Sequence, residues 1–322
     1  MTRCSENTAK KRTQAMQSLI KFFYPSFWFK SDYALGLFWK FFSTTCFATI
    51  SMLACWIQFR GMRVSPSQIA FFQVFLPFVG MLVLTPQPSG TLVRHLLTRA
   101  PLWALLRSGA SSITFLSWFC ALSVYPLSFA ISFRMLGPLV TFGAALLLLK
   151  EKTTLLRFLG LCILLLASTL LIRAELWSLP IAKDAPLFQL LSLPLLVIFG
   201  YALTTLSGKL LLKRVEVKEA LFSLLGLNSL FLGLAALLTW APLEPSLYGF
   251  LALMGFIEWL GQWALAKALS MTALNVLAPL SLWRFGISAL FGLVILGEPL
   301  RPAFLIGIAL MVLATPLVIR KR

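Results

Sequence analysis

The chain alternates between long apolar runs and short segments that contain charge, proline or glycine. A membrane-crossing helix needs about 20 mostly apolar residues, and ten runs approach or exceed this length. The predicted spans are 37–57, 68–84, 102–124, 127–149, 155–172, 187–211, 220–240, 247–266, 272–296 and 303–319. The runs are continuous and do not alternate in polarity, unlike the strands of a transmembrane β-barrel. The pattern predicts an all-α membrane protein with ten transmembrane helices.

The composition favours the same class. Hydrophobic residues make up 59% of the 322 residues and charged residues only 12%, whereas soluble proteins average about 25% charged residues. This balance excludes both a soluble globular protein and a disordered chain. The sequence has no Ser/His/Asp set, HExxH motif or complete phosphate-binding loop. It therefore predicts neither an enzyme nor an ATP-driven pump, and it predicts no cofactor and no metal site.

Basic residues are distributed unevenly among the loops. The net charge is +18, and 19 of the 28 basic residues lie in the termini and in one set of loops, near 94–99, 150–157, 209–218 and 267. The opposite loops hold five, and four lie inside spans. Because Lys and Arg accumulate on the cytoplasmic side, both termini are predicted to be cytoplasmic, as the segments 1–36 and 320–322. Basic residues placed this way indicate membrane orientation and not nucleic-acid binding.

The two halves of the chain repeat each other at an offset of 147 residues. The pairs with most weight are Glu151 with Glu298 and Gly160 with Gly307. The halves 37–172 and 187–319 each hold five predicted helices. An odd number of spans turns the second half upside down, which gives the inverted repeat found in many secondary transporters. The two glutamates lie at predicted helix ends, where a capping or topological role is expected.

Two segments resemble the drug/metabolite transporter superfamily, EamA type: ALSVYPLSFAISFRMLGPLVTFGAALLLLKEKTTLLRFLG (121–160) and ALSMTALNVLAPLSLWRFGISALFGLVILGEPLRPAFLIG (268–307). Within that superfamily, AFFQVFLPFV (70–79), KALSM (267–271) and the APLS…GE block are most similar to the S-adenosylmethionine transporters of obligate intracellular bacteria. The resemblance implies two inverted five-helix EamA-like repeats. It also implies a multi-pass protein of the bacterial cell inner membrane.

The function implied by the resemblance is secondary import of S-adenosylmethionine in exchange for S-adenosylhomocysteine. The expected partners are a small-molecule substrate and the lipid bilayer, with a homodimer as the candidate oligomer and no nucleic acid. An exporter of amino acids, drugs or other small metabolites is the alternative, because one fold serves many substrates.

Three charged residues, Arg134, Glu258 and Arg284, lie well inside predicted spans. Each charge costs roughly 2.5–3.5 kcal/mol at the bilayer centre, so they are expected to face one another or a wet cavity. Two hypotheses follow for Glu258. It pairs with Arg284 and locks the eighth and ninth helices together, or it is the counter-charge of a cationic substrate.

Helical spacing extends this polar interior. Arg107, Ser111, Thr114 and Trp118 recur at i, i+4, i+7 and i+11, which is one helix face. The candidate substrate-binding residues are Glu258, Arg284, Arg134, Arg107, Trp118, Gln262, Trp259 and Trp283. Tryptophan rings attract cations and stack on bases, which suits the sulfonium and adenine implied by the resemblance. The alternative for each tryptophan is simple packing between helices.

Overall fold

The computed structural model describes residues 31–59, 64–84, 99–124, 134–172, 187–295 and 302–320. Within these ranges the chain forms eleven α-helices and no strand. They are α1 (Asp32–Phe59), α2 (Pro66–Leu84), α3 (Pro101–Val124), α4 (Leu136–Leu147), α5 (Leu155–Ile172), α6 (Leu187–Leu211), α7 (Val217–Leu238), α8 (Pro245–Met271), α9 (Leu274–Leu280), α10 (Trp283–Ile295) and α11 (Pro302–Ile319). The predictions for residues 1–30 and for Glu298 lie outside the described residues.

Every predicted span contains a described helix. By length and composition, six helices are long and apolar enough to cross a membrane, namely α1, α2, α3, α6, α7 and α8. Large apolar side chains cover the outside of the bundle; Leu238 is 88% exposed and Leu147 is 79% exposed. Apolar residues in contact with solvent on this scale are typical of a lipid-facing surface. These features indicate a helical membrane protein.

The ninth predicted span is not one continuous helix. The sequence predicted one span over 272–296 that Pro279 interrupts, and the structure has two helices, α9 and α10, separated by a turn at Ser281 and Leu282. Pro279 lacks the backbone N–H that an α-helix needs at this point. After Pro279 the backbone forms a tighter turn, in which the backbone N–H of Arg284 donates to the carbonyl of Ser281, three residues earlier, at 3.2 Å. The break places Arg284 in the first turn of α10.

Glu151 caps the start of α9. Its carboxylate accepts hydrogen bonds from the backbone N–H groups of Leu274 at 3.0 Å and Asn275 at 2.8 Å. The Asn275 side chain in turn donates to the carbonyl of Lys152 at 2.9 Å. The first N–H groups of a helix have no intrahelical partner, so a carboxylate from another segment satisfies them. The predicted capping role of Glu151 is confirmed.

Helix ends from both halves of the chain meet at one end of the bundle. Tyr33 Oη donates to the carbonyl of Ile319 at 2.7 Å, and Arg157 Nη2 donates to that of Arg320 at 3.2 Å. Lys209 Nζ donates to the carbonyl of Thr272 at 2.6 Å, next to the Glu151 cap. These segments therefore lie at the same end of the bundle. The distribution of basic residues had assigned them to the same side of the membrane.

The most extensive helix contacts are those of α3 with α6 and of α1 with α8. Glycine allows α3 and α6 to approach closely. A Cβ atom at Gly200 would overlap Thr114, and one at Gly208 would lie 3.1 Å from Nε of Arg107. Because these helices approach closely, the polar face of α3 is held against the interior of the bundle.

Candidate functional site

A cavity of about 790 Å³, including the part that is open to solvent, lies among α1, α3, α6 and α8, with one residue each from α2 and α10 and with Arg134, which precedes α4. Its wall combines aromatic and aliphatic side chains with charged and hydroxyl groups. The charged and amide residues on the wall are Arg107, Arg134, Arg284, Glu258, Gln73 and Gln262. A largely apolar wall with a few converging polar groups is typical of a small-molecule site.

Six of the eight candidate residues from the sequence line this cavity. They are Glu258, Arg284, Arg134, Arg107, Trp118 and Gln262. The face of α3 that was predicted from its spacing is on the wall in full, including Ser111 and Thr114. The structure thus brings together residues that are up to 177 positions apart in the sequence, from Arg107 to Arg284. Their binding role stays a prediction.

Several polar side chains of α3, including Arg107 and Ser111 on the cavity wall, are hydrogen-bonded to α7. Asn228 of α7 donates from Nδ2 to Ser111 Oγ at 2.9 Å, and its Oδ1 accepts from Ser112 Oγ at 3.1 Å. Arg107 Nη1 donates to the carbonyl of Ala220 at 3.2 Å. These bonds satisfy groups that would otherwise be costly to bury. These bonds fix the rotation of α3 about its own axis relative to α7.

Glu258 of α8 has a different environment. Its side chain is 2% exposed, and its Oε1 accepts one hydrogen bond, at 2.8 Å, from Gln262 Nε2 one turn later on the same helix. An ionised carboxylate has about four lone-pair sites. The contact with Gln262 therefore orients the carboxylate and leaves acceptor capacity facing the cavity.

Arg284 is anchored to α1. Its Nη2 donates to the carbonyl of Phe47 at 2.6 Å and to Ser51 Oγ at 2.7 Å, and its Cζ lies 5.6 Å from the centre of the Phe47 ring. Arg284 and Glu258 interact electrostatically, but the hydrogen bonds of Arg284 tie α10 to α1 and not to α8. No hydrogen bond joins Arg284 and Glu258 in the described part of the chain, and the lock between these helices stays a prediction.

Arg134 lies against an aromatic ring. Its Cζ is 4.1 Å from the centre of the Trp118 ring, a cation–π contact. Its Nη1 is buried and has no hydrogen-bond partner. A buried donor without a partner loses the hydrogen bond that water would have given it. The guanidinium thus has unused donor capacity at the wall of the cavity.

Two candidate tryptophans lie away from the cavity. Trp283 donates from Nε1 to Thr315 Oγ1 at 2.8 Å and packs edge-to-face on Phe41 at 5.9 Å between ring centres. Trp259 packs on Phe256 at 6.1 Å. The Trp283 ring packs between α10, α1 and α11, and Trp259 contacts Phe256 of its own helix and packs on the apolar core. Both contacts agree with the packing alternative for these tryptophans. Among the candidate tryptophans, only Trp118 lies on the cavity wall.

The cavity wall also holds Gln73, Tyr201 and Thr204, which were not predicted from the sequence. Gln73 is 0% exposed, and neither atom of its amide has a hydrogen-bond partner. Tyr201 Oη donates to Ser281 Oγ at 3.0 Å, at the break between α9 and α10. Gln73 could have been identified from the sequence, because its amide lies inside the apolar second span. The hydroxyl residues resembled ordinary helix-packing positions.

Comparison with known proteins shows the fold alone. No family model and no curated protein matches the sequence. Among solved structures, 17 chains match. One of them, described only as the crystal structure of a protein, has a TM-score of 0.70 and 16% sequence identity, over 88% of this chain and 96% of the other. At this identity the likeness establishes that the two chains share a fold.

Proposed function

We propose that this protein is a secondary transporter that imports S-adenosylmethionine in exchange for S-adenosylhomocysteine. The observation that carries the proposal is the cavity between the helices, where a carboxylate, guanidinium groups and aromatic rings converge. The residue types suit a ligand with a sulfonium, an amino-acid group and a purine. The sequence resemblance to the EamA-type transporters supports the same substrate class.

The proposed binding chemistry assigns the cation to Glu258. A sulfonium cannot donate a hydrogen bond, so a nearby negative charge is its main source of stabilisation away from water. Glu258 is the one carboxylate on the described cavity wall. The purine is expected to stack on the aromatic part of the wall, which contains Phe115, Trp118 and Phe119. Gln262 would hold the carboxylate in place.

We propose that the ten spans form two inverted repeats of five helices. The contacts between helices support this arrangement. When each helix of a contacting pair is replaced by its counterpart in the other half, five spans away, the new pair is also in contact. The pair α3–α6 becomes α8–α1, and the pair α2–α8 becomes α7–α3. The pair α4–α6 becomes the contact of α9 and α10 with α1. The cavity lies where the two proposed repeats meet, as in other inverted-repeat transporters.

The proposed location is the bacterial inner membrane, with both termini in the cytoplasm. The 19-to-5 distribution of basic residues supports this orientation. A reporter fused after Arg322 should be active only on the cytoplasmic side. Activity of that reporter on the external face would overturn the orientation and require the two sides to be exchanged.

Uptake of radiolabelled S-adenosylmethionine by cells expressing the protein tests the proposed substrate. Unlabelled S-adenosylmethionine and S-adenosylhomocysteine should both compete, and internal S-adenosylhomocysteine should accelerate uptake. ATP should not compete, because the chain lacks a phosphate-binding loop. Competition by ATP as strong as that by either ligand would move the assignment to nucleotide transport. Competition by free amino acids alone would favour the amino-acid exporter.

A further inference from the structure

Positive charge exceeds negative charge at the cavity. Three arginines, Arg107, Arg134 and Arg284, share the described wall with a single carboxylate, Glu258. Lys40 of α1 is also buried and interacts electrostatically with Arg284. A substrate that supplies only a cation would add to this excess. The excess of positive charge at the cavity therefore favours a ligand that also carries an anionic group.

The three arginines are not equally available to such a group. Arg107 donates to the carbonyl of Ala220, and Arg284 donates to Phe47 and Ser51. Arg134 is the one whose buried Nη1 has no hydrogen-bond partner. Its contact with the Trp118 ring holds the planar guanidinium in a fixed orientation. A planar guanidinium held in this way presents two parallel donors, which is the geometry that a carboxylate accepts.

We propose that Arg134 binds the carboxylate of the transported substrate, so that the site recognises the amino-acid end of the molecule as well as its sulfonium. This inference rests on the proposed function and extends it. Glu258 and Arg134 interact electrostatically across the site. A ligand with a cation next to a carboxylate matches this pair of opposite charges. Substrate selection is then based on both charges.

The test compares S-adenosylmethionine with its decarboxylated analogue as competitors of labelled S-adenosylmethionine uptake. The two ligands share the sulfonium, the amine and the adenosine, and they differ only in the carboxylate. A charge-assisted contact contributes about ten- to a hundredfold in affinity. The decarboxylated analogue should therefore compete about ten- to a hundredfold more weakly in the wild-type protein. Equal competition by the two ligands would overturn the proposal.

Arg134→Met should remove most of this preference, because it weakens binding of S-adenosylmethionine and leaves binding of the analogue nearly unchanged. Arg107→Met is the matched control: it removes the same charge from the same wall, but Arg107 already donates to Ala220. The preference for the carboxylate should persist in Arg107→Met. Equal loss of preference in both variants would assign the effect to the general positive field and would overturn a specific role for Arg134.

Arg134→Lys provides the same test if Arg134→Met does not reach the membrane. Lysine keeps the positive charge and lacks the paired donors of arginine, so the preference should fall but remain measurable. A preference equal to that of the wild type in this variant would argue against the paired contact. Absence of S-adenosylmethionine uptake in the wild-type protein would remove the proposed function and this inference together. Uptake without a preference for the carboxylate would remove the inference alone.

Discussion

Helices α3 and α8 both present polar residues to the cavity, but their polar groups have different partners. Ser111 on α3 accepts a hydrogen bond from Asn228 on α7, and its neighbour Ser112 donates to the same side chain. Glu258 on α8 accepts from Gln262 on its own helix. Ser111 and Glu258 are 147 residues apart, the separation found for the repeat. The proposed repeat therefore places a paired hydroxyl and an incompletely paired carboxylate at corresponding positions.

This difference indicates a packing role for the hydrogen-bonded serines of α3 and a binding role for Glu258 of α8. A polar group that is satisfied by a neighbouring helix contributes to stability and has little left to offer a ligand. A carboxylate held only by its own helix keeps acceptor capacity for a ligand, and it is retained inside a membrane at a cost. Variants of the α3 groups that are hydrogen-bonded to α7 should therefore change mainly stability, and variants of Glu258 on α8 should change mainly substrate affinity.

The largest expected effect is that of Glu258→Gln. Glutamine keeps the shape of the side chain and its acceptor for Gln262, but it removes the negative charge. Loss of a charge-assisted contact costs about 1.5–3 kcal/mol, roughly ten- to a hundredfold in affinity. The measurement is the half-saturating concentration for uptake, with the amount of protein in the membrane as the control. Normal uptake by Glu258→Gln would end the ligand role of this residue.

The double variant Glu258→Gln with Arg284→Met distinguishes a ligand contact from a lock between helices. If the carboxylate serves the ligand, the double variant should transport no better than Glu258→Gln alone. It should also be less stable, because Arg284 no longer binds Phe47 and Ser51. Recovery of both expression and uptake in the double variant would favour the lock.

Asn228→Leu should lower stability and leave affinity nearly unchanged. Asn228 does not line the described cavity, and its amide makes two hydrogen bonds to α3. Interhelical hydrogen bonds in membranes contribute about 0.6–1.7 kcal/mol each, so the variant should lose about 1–3 kcal/mol. Thermal unfolding of the purified protein in detergent measures this loss. A large loss of substrate affinity with unchanged stability would contradict the separation between α3 and α8.

Trp118→Leu should weaken binding, because Trp118 is the residue of α3 that both lines the cavity and holds Arg134. A cation–π contact contributes about 0.5–2 kcal/mol, so affinity should fall by roughly two- to thirtyfold. Trp259→Leu is the matched control, since that ring packs on Phe256 away from the cavity. An equal loss of affinity in both variants would indicate a general effect of removing a large ring from the bundle.

The sequence predicted most of the helices because each apolar run is a local property. It predicted the polar face of α3 for the same reason, since residues one turn apart share a face whatever surrounds them. Pro279 indicated an interruption of the ninth span, but not that the helix would divide there and place Arg284 at the start of α10.

The sequence could not predict which side chains form hydrogen bonds with residues on other helices. Arg284 is more than 230 residues from the carbonyl of Phe47 that it binds, and no local pattern links the two. The tryptophans illustrate the same limit, because a helix that is apolar on all sides does not reveal which face turns inward. Trp283 was therefore predicted at the site and instead packs against Phe41 and Thr315.

The smallest expected effect is that of Ser112→Ala, which removes one of the two bonds between α3 and Asn228. The loss should be about 0.6 kcal/mol, the average for such a bond in a membrane protein. In combination with Asn228→Leu the serine change should cost almost nothing further, because its partner is already gone. Ser270→Ala is the control: this exposed hydroxyl donates to the carbonyl of Lys267 on its own helix, and its removal should leave thermal stability unchanged. Additive losses in the double variant would show that Ser112 and Asn228 do not stabilise the α3–α7 contact through one shared hydrogen bond.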